Sequence, residues 1–404
     1  MNALEFYSGI GGLHLALSHS GVPAPARVVR AFDWDAGACA VYAANFGPGL
    51  AAKADISTLT AASLAPLRAA LWLLSPACQP YTVLNPASRS KGDRDPRAKS
   101  FLHLVQTVLP ALAAAGAAPT HVLVENVAGF ETSRTRTLLV STLRTLGYAT
   151  AEFLLTPLQF GIPNSRLRYY LLAKRAPRAF KSRSESPGPV NLDGEETLRY
   201  IPGRSDRTWV DRRADSLADD TVYEIRDYLD PEPVEGCAIP DRVLGRWGRL
   251  FDIVLPSARR SCCFTRGYTQ LVERSGSVLQ TNEAQDVTTR VFDAFLRAQS
   301  QSQSQAEAES SDSATENLKA EAVRTLDVLG LRYFSPAELL RLFAFTAPHG
   351  NARRNKNTPP QNALDERPFV WPGGVSRKTQ YRLIGNSVNV RVVQELIGYL
   401  FEEP

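Results

Sequence analysis

An apolar run that halts at a proline does most to limit what this chain can become. Leu73-Leu74-Ser75-Pro76-Ala77-Cys78-Gln79-Pro80-Tyr81 reads as a buried strand that delivers a cysteine to its open end. Ligands of open α/β sheets bind beyond the carboxyl ends of strands, so a thiol at Cys78 is placed for chemistry. Taken alone a cysteine is more often a packed core residue, and its neighbours must decide.

Three other apolar runs share the design. Leu4-Glu5-Phe6 leads into Tyr7-Ser8-Gly9-Ile10-Gly11-Gly12 and then into Leu13, Leu15, Ala16 and Leu17, a strand, a glycine-rich turn and a helix. Glycines let the backbone turn tightly and approach a ligand, and a helix start offers free N–H groups; the spacing is not the dinucleotide fingerprint. Residues 27–32 form a second strand that ends in Asp33-Trp34-Asp35. An acid roughly twenty residues beyond such glycines suits a ribose hydroxyl pair, with Trp34 stacked on an adenine; an acidic helix cap beside a core tryptophan suits the same residues. Asp55, in Lys53-Ala54-Asp55-Ile56-Ser57, closes a third strand and either accepts from an adenine amino group or caps a helix. His121-Val122-Leu123-Val124 is the next buried strand, with Glu125-Asn126-Val127 at its end. A carboxylate is costly there unless paired or used, which makes Glu125 a candidate acid or base.

The 404 residues, 44% of them hydrophobic, suffice for a full α/β domain and a smaller second one. The sequence has no N-terminal signal pattern and no apolar stretch of about 18 residues, so an intracellular protein without a membrane partner is expected, in the cytoplasm, the nucleus or both. Five cysteines (Cys39, Cys78, Cys237, Cys262, Cys263) without metal spacing point to reduced thiols and no metal site. A net charge of +5 permits a nucleic-acid partner without requiring one. Nothing demands more than a monomer.

Along the rest of the chain, residues 82–100 are rich in Pro, Gly, Ser and charge, the composition of a lid or of a solvated loop. Phe101 to Leu112 recur at helical spacing and Gly116 closes that helix. Residues 149–155 and 169–173 read as strands, and Arg166 and Arg168, at i and i+2, are expected on one face. Residues 177–260 interleave Arg204, Arg207, Arg212, Arg213, Arg242, Arg246 and Arg249 with Trp209, Tyr223, Tyr228 and Trp247, a mixture that suits phosphates and stacked bases or plain surface charge. Residues 298–317 are low-complexity and are expected to be a disordered loop. Ser335-Pro336 with Glu338 reads as a capping box, residues 349–360 as a basic loop, and Tyr381 onward as one terminal amphipathic helix reaching Phe401.

Taken together, Phe6 to Gly12, Ser75-Pro76-Ala77-Cys78-Gln79, Glu125-Asn126-Val127, Gln159 with Arg166-Leu167-Arg168, and Gly385-Asn386-Ser387-Val388 resemble the ordered motifs of cytosine-5 methyltransferases. Longer blocks resemble the DNA methyltransferase type 2 branch, whose members methylate a cytosine in the anticodon loop of tRNA-Asp. These are residues 125–131 (ENVAGFE), 161–169 (GIPNSRLRY), Cys263-Phe264-Thr265 with Gly267-Tyr268, 276–279 (GSVL), 331–336 (LRYFSP) and 381–390 (YRLIGNSVNV).

The resemblance implies a Rossmann-like, class I S-adenosylmethionine-dependent methyltransferase fold, a mostly parallel sheet with helices on both faces, with catalytic parts at 1–176 and 331–404 and a small target-recognition domain at 177–330. It implies Cys78 as nucleophile on C6 of the base and Glu125 as the proton donor to N3. Arg166 and Arg168 would hold the O2 carbonyl and the Cys78 loop, and Asn126 would tie strand ends together. Phe6, Ser8, Gly9, Gly11, Gly12, Asp33, Trp34, Asp55, Ile56, Pro76, Asn386, Ser387 and Val388 would line the S-adenosyl-L-methionine pocket. Gln79, Gln159, Cys263, Phe264, Thr265, Arg266 and Tyr268 would meet the substrate. The implied reaction is methylation at C5 of cytosine 38 in tRNA-Asp, with DNA, or silent RNA binding, as the alternatives. One position departs from the family's Pro-Cys-Gln core: Ala77 stands where proline is usual, which keeps the backbone carbonyl and gives up the ring's fixed φ.

Overall fold

Alternation along the apolar runs decides where the core lies. Ala3, Leu71, Leu73 and Leu123 feed one apolar cluster, while Leu4, Phe6, Trp72, Leu74, Val122 and Val124 feed another. Successive residues of a strand point to opposite faces, so an uninterrupted apolar run can be satisfied only by a sheet covered on both sides. The computed structural model describes residues 1–22, 25–81, 92–180, 197–204, 221–232, 234–284, 287–308, 320–349 and 368–403.

The main sheet has eight strands: β1 (Asn2–Phe6), β2 (Arg27–Asp33), β3 (Ala51–Lys53), β4 (Ala69–Leu74), β5 (His121–Val127), β6 (Tyr148–Leu155), β7 (Arg168–Arg175) and β8 (Thr197–Leu198). Their order is β3-β2-β1-β4-β5-β7-β6-β8, and every adjacent pair is parallel except those of β7 with β5 and with β6. The exception positions the site. Because β7 runs against β5, its first residue, Arg168, lies opposite Val127, the last residue of β5. Phe6, Phe32, Leu74 and Val124 align across the parallel strands, so their carboxyl ends and the start of β7 form one edge.

Helices α1 (Gly12–His19) and α2 (Ala36–Phe46) cover one face. The other face holds a long helix, α3, over residues 99–114, and α4 (Arg134–Thr145). Helix α3 widens over Leu104–Val108, just before Pro110, which lacks the N–H of a regular turn. Gly116, at φ 69°, ends it as the sequence predicts, with the Ala117 N–H returning to the Leu112 carbonyl at 2.8 Å.

A three-stranded sheet, β9 (Ile253–Val254), β10 (Val278–Gln280) and β11 (Leu331–Arg332), carries α5 (Asp241–Trp247) and α6 (Val287–Ala308). The low-complexity segment departs from expectation here, since α6 runs through its first part to Ala308. Ala, Gln and Glu favour helix once a turn exists, and Gln299 fastens α6 by donating to the Gly245 carbonyl at 3.2 Å. Residues 309–317 lie outside the described residues, as do 82–91 of the expected lid, Arg207, Trp209, Arg212 and Arg213, and 350–360 of the basic loop.

The capping box at Ser335 opens α7 (Pro336–Leu342). The terminal segment is two helices, α8 (Arg377–Gly385) and α9 (Val390–Leu400), rather than one. Asn389 breaks the run because its side chain caps α9, accepting from Val392 N at 3.3 Å. No helix of the described residues is long and apolar enough to cross a membrane.

Candidate active site

Between β1 and α1 the backbone needs left-handed geometry that glycine supplies: Gly11 sits at φ 88°, and a Cβ there would lie 2.1 Å from the Phe46 ring. Gly12 serves a different purpose. A Cβ on it would lie 2.8 Å from Ser387 Oγ and from Val388, so its bareness lets the turn after α8 close on the glycine turn. Helix α1 has no side-chain cap, which leaves its first N–H groups facing this turn. Gly9 N donates to Asp33 Oδ2 at 2.8 Å and Asp35 N to Asp33 Oδ1 at 2.9 Å, fixing that buried carboxylate at the tip of β2. Burial pushes Asp33 above its ordinary value, with these two hydrogen bonds opposing. The helix cap is the work of Asp35, which accepts from Gly37 N and Ala38 N and pairs with Arg382 of α8 at 2.6 Å.

Trp34 is 73% exposed, so it is no core residue and its indole is open to a planar partner. Ser8 Oγ is buried without a hydrogen-bond partner among the described residues. An orphaned hydroxyl, a bare helix start, a fixed acid and an open indole are what a polar, nucleoside-bearing methyl donor requires, so the residues fit S-adenosylmethionine. Asn386, exposed at the end of α8, adjoins the same turn. Two expected pocket residues turn out differently. Phe6 and Ile56 are buried in the apolar cluster, Phe6 against Phe32 and Trp72, and so offer only backbone. Asp55 caps the tight turn after β3, its Oδ1 accepting from Ser57 N and Ser57 Oγ at 2.9 and 2.7 Å while the side chain stays exposed.

The nucleophile side is built from charge. Ser75 continues β4 by donating to the Phe6 carbonyl at 3.3 Å, and Asn126 Nδ2 donates to the Pro76 carbonyl at 3.2 Å, pinning the start of the Cys78 loop to β5. Glu125 is buried on the face that also carries Leu123, Tyr170 and Arg168, and Arg168 Nε lies 3.5 Å from Glu125 Oε1. Burial raises the Glu125 carboxyl, against the pull of Arg168 and Arg166. It also raises the Cys78 thiol, with Arg168 and Arg166 lowering and Glu125 raising it further. Arg97 belongs to this group although nothing in the sequence marked it. Buried Asp95 grips its guanidinium at 2.9 and 2.7 Å, close enough to Cys78 for charge on the sulfur to favour the cation.

Arg166 and Arg168 converge, as their spacing suggests, but Arg166 precedes β7 and does different work. It is buried over the Phe343 ring and donates to the carbonyls of Phe264 (2.7 Å), Gly385 (3.2 Å) and Ser387 (2.6 Å). It is therefore a clamp joining its own segment to Phe264 and to the turn after α8, with Nε alone left without a partner among the described residues. Both arginines donate to Cys263 Sγ, at 3.4 and 3.5 Å. Burial works against a thiolate at Cys263, yet the two guanidiniums prevail and hold it below its ordinary value, the reverse of Cys78.

The expected substrate residues separate in the same manner. Cys263, Thr265 and exposed Arg266 lie beside the end of α8, where a Cβ on Gly385 would fall 2.2 Å from the Thr265 backbone. Phe264 and Tyr268 are buried against each other and against Phe334 and Tyr381, a hydrophobic anchor for the loop rather than a reading surface. Gln159 is turned inward, accepting from Thr156 N and donating to the Arg199 carbonyl at 2.6 Å. Gln79 stays partly exposed with its Oε1 buried and unpartnered among the described residues.

The profile of the C-5 cytosine-specific DNA methylase family matches residues 1–402. Curated relatives called tRNA (cytosine(38)-C(5))-methyltransferase include the Bos taurus protein, 34% identical over 99% of this chain and 99% of its own length. The Schizosaccharomyces pombe protein of the same name is also 34% identical, over 100% of this chain and 97% of its own. Among solved structures, a mutant of Spodoptera frugiperda DNMT2 superposes with a TM-score of 0.71 at 29% identity, covering 99% of each chain. With a profile that spans nearly the whole sequence and relatives that align end to end, the chain belongs to the C-5 cytosine-specific DNA methylase family.

Proposed function

We propose that this chain is a tRNA cytosine-5 methyltransferase that acts on cytosine 38 in the anticodon loop of tRNA-Asp, using S-adenosyl-L-methionine. The observation that carries the reading is the grouping of Cys78, Glu125 and Arg168 on neighbouring strand ends, with Arg168 3.5 Å from Glu125. Full-length likeness to relatives that bear the tRNA name supports RNA over DNA.

Cytosine C5 is too weak a nucleophile to take a methyl group unaided, and a thiolate added at C6 turns it into an enamine. Cys78 Sγ forms the bond to C6, its own proton passing to solvent, while Glu125 gives a proton to N3 so that the ring's electron pair gathers at C5. Burial raises the Glu125 carboxyl, the direction that favours the proton this step needs, and Arg168 keeps the carboxyl in place. S-adenosylmethionine supplies the electrophilic methyl group. After transfer, loss of the C5 proton expels Cys78, and the N3 proton returns to Glu125. The base must leave its stack to reach the thiol, which a single-stranded anticodon loop permits at less cost than a duplex.

Transfer of labelled methyl from S-adenosylmethionine to total tRNA and to duplex DNA tests this, with Cys78→Ala alongside. Label in tRNA alone, lost in the variant, is expected. Label confined to DNA sinks the tRNA reading, and label in neither polymer leaves a silent binder.

A further inference from the structure

Helix α5 and the turn after it, residues 241–250, divide into two faces. Leu244 and Gly248 are buried, and a Cβ on Gly245 would lie 2.8 Å from Val323, so that side is pressed against α6 and residue 323. On the other side Arg242, Arg246 and Arg249 are exposed, and none forms an ion pair among the described residues. Trp247, 38% exposed, lies beside them with the Arg246 guanidinium 4.7 Å from its ring centre, and Leu250 is exposed next to it. Asp241 is the single acid of the segment. A large indole is seldom left in water, and three unpaired guanidiniums around it repel one another unless anions arrive.

This face is mechanically joined to the site. Asp252, two residues beyond Leu250, accepts from Ser277 Oγ, which itself accepts from Cys262 N at 2.7 Å. Cys262 is followed by Cys263, held by Arg166 and Arg168. The patch is therefore tied, through Asp252, Ser277 and Cys262, to the loop that carries Cys263.

We propose that Arg242, Arg246, Arg249 and Trp247 form a second RNA-docking surface that grips tRNA outside the reacting loop, the arginines on phosphates and the Arg246–Trp247 stack against an unpaired base. Guanidinium and indole in one stack suit nucleic acid, since phosphate needs the charge and a base needs the flat face. The proposal rests on the tRNA reading of the site.

Three variants test it, Arg242→Ala/Arg246→Ala/Arg249→Ala, Trp247→Ala and Trp247→Phe, on full-length tRNA and on a short anticodon-loop oligonucleotide across a salt series. For full-length tRNA the triple variant should raise KM about tenfold and flatten the slope of log KM against log salt by about two, with kcat unchanged. Trp247→Ala should raise KM about fivefold and Trp247→Phe much less. The oligonucleotide should be methylated as by wild type. An unchanged KM and salt slope on tRNA overturns the proposal, and so does an equal loss on the oligonucleotide, which would make these residues part of the fold. If wild type labels no tRNA at all, the reading of the site fails instead; equilibrium binding of tRNA to wild type and variants then still judges the patch by the same salt slope.

Discussion

At the tips of β1 and β2 polar atoms are satisfied by the chain's own backbone, whereas at the tips of β4, β5 and β7 buried charges satisfy one another. Gly9 N and Asp35 N fix Asp33, and little is left over beyond Ser8 Oγ and the bare start of α1. On the other side Arg168 stands between Glu125 and Cys263, and burial, which alone would neutralise every member, is outweighed for Arg168 by those neighbours and Cys78. A site that must hold a ready-made cationic donor needs a preformed cradle. A site that must create and remove a covalent bond needs groups whose protonation can change. Substitutions on the donor side should therefore act on KM, and those on the nucleophile side on kcat.

The largest effects follow from the charge side. Cys78→Ala should lower kcat by at least about 10³-fold, since no other group supplies the C6 bond. Glu125→Gln should lower it about 10²-fold, with the activity of wild type falling at high pH as raised Glu125 loses its proton and at low pH as the Cys78 thiolate disappears. Steady-state kinetics over pH checks both, and a kcat loss that leaves the pH profile untouched would remove Glu125 from the acid role.

Next comes Arg166→Ala, which strands three backbone carbonyls and should cost about 3–5 kcal/mol of stability, read by denaturant unfolding. A variant that stays stable but inactive would return Arg166 to the base and break the distinction between clamp and catalyst. Under the donor side lies Glu5, buried and accepting from Tyr42 at 2.8 Å, its carboxyl pushed by burial up to about 8. Between its ordinary 4.5 and about 8 the folded chain keeps a proton that the unfolded chain releases. Its stabilisation, roughly 3–5 kcal/mol, is thus complete below that window and lost as pH rises through it. Glu5→Gln should flatten the dependence of unfolding free energy on pH across that range.

Smaller effects sharpen the contrast. Ser8→Ala should raise KM for the methyl donor about fivefold with kcat unchanged, a split that a catalytic role would not give. Ala77→Pro should raise kcat a few-fold by stiffening the loop that presents Cys78, without altering donor KM; a fall in kcat would mean that this backbone has settled into a shape the ring cannot follow.

The sequence made the strand ends legible because period-two apolar runs, glycine turns and terminal acids are local signals. Cys78, Glu125, Asp33 and the glycine turn fall where those signals put them. What local pattern cannot carry is partnership across distance. Arg166 reaches residues about a hundred and two hundred positions away, so nothing near it told clamp from catalyst. Phe264 and Tyr268 look like a recognition motif in line and are an anchor in space, and Gln159 is drawn into its own turn. Arg97 went unnoticed because an aspartate two residues before an arginine in a polar loop has no periodicity to mark it.

Cys78, rather than Cys263, whose thiol the two guanidiniums hold below its ordinary value, is the group that attacks the base. Incubation of the protein and S-adenosylmethionine with tRNA whose target position carries 5-fluorocytidine should trap the adduct, because fluorine at C5 cannot leave as a proton does. Peptide mapping of the protein–RNA complex should then place the crosslink on Cys78. A crosslink on Cys263, or methyl transfer to ordinary tRNA with no adduct on the fluorinated one, would show that Cys78 is not the nucleophile.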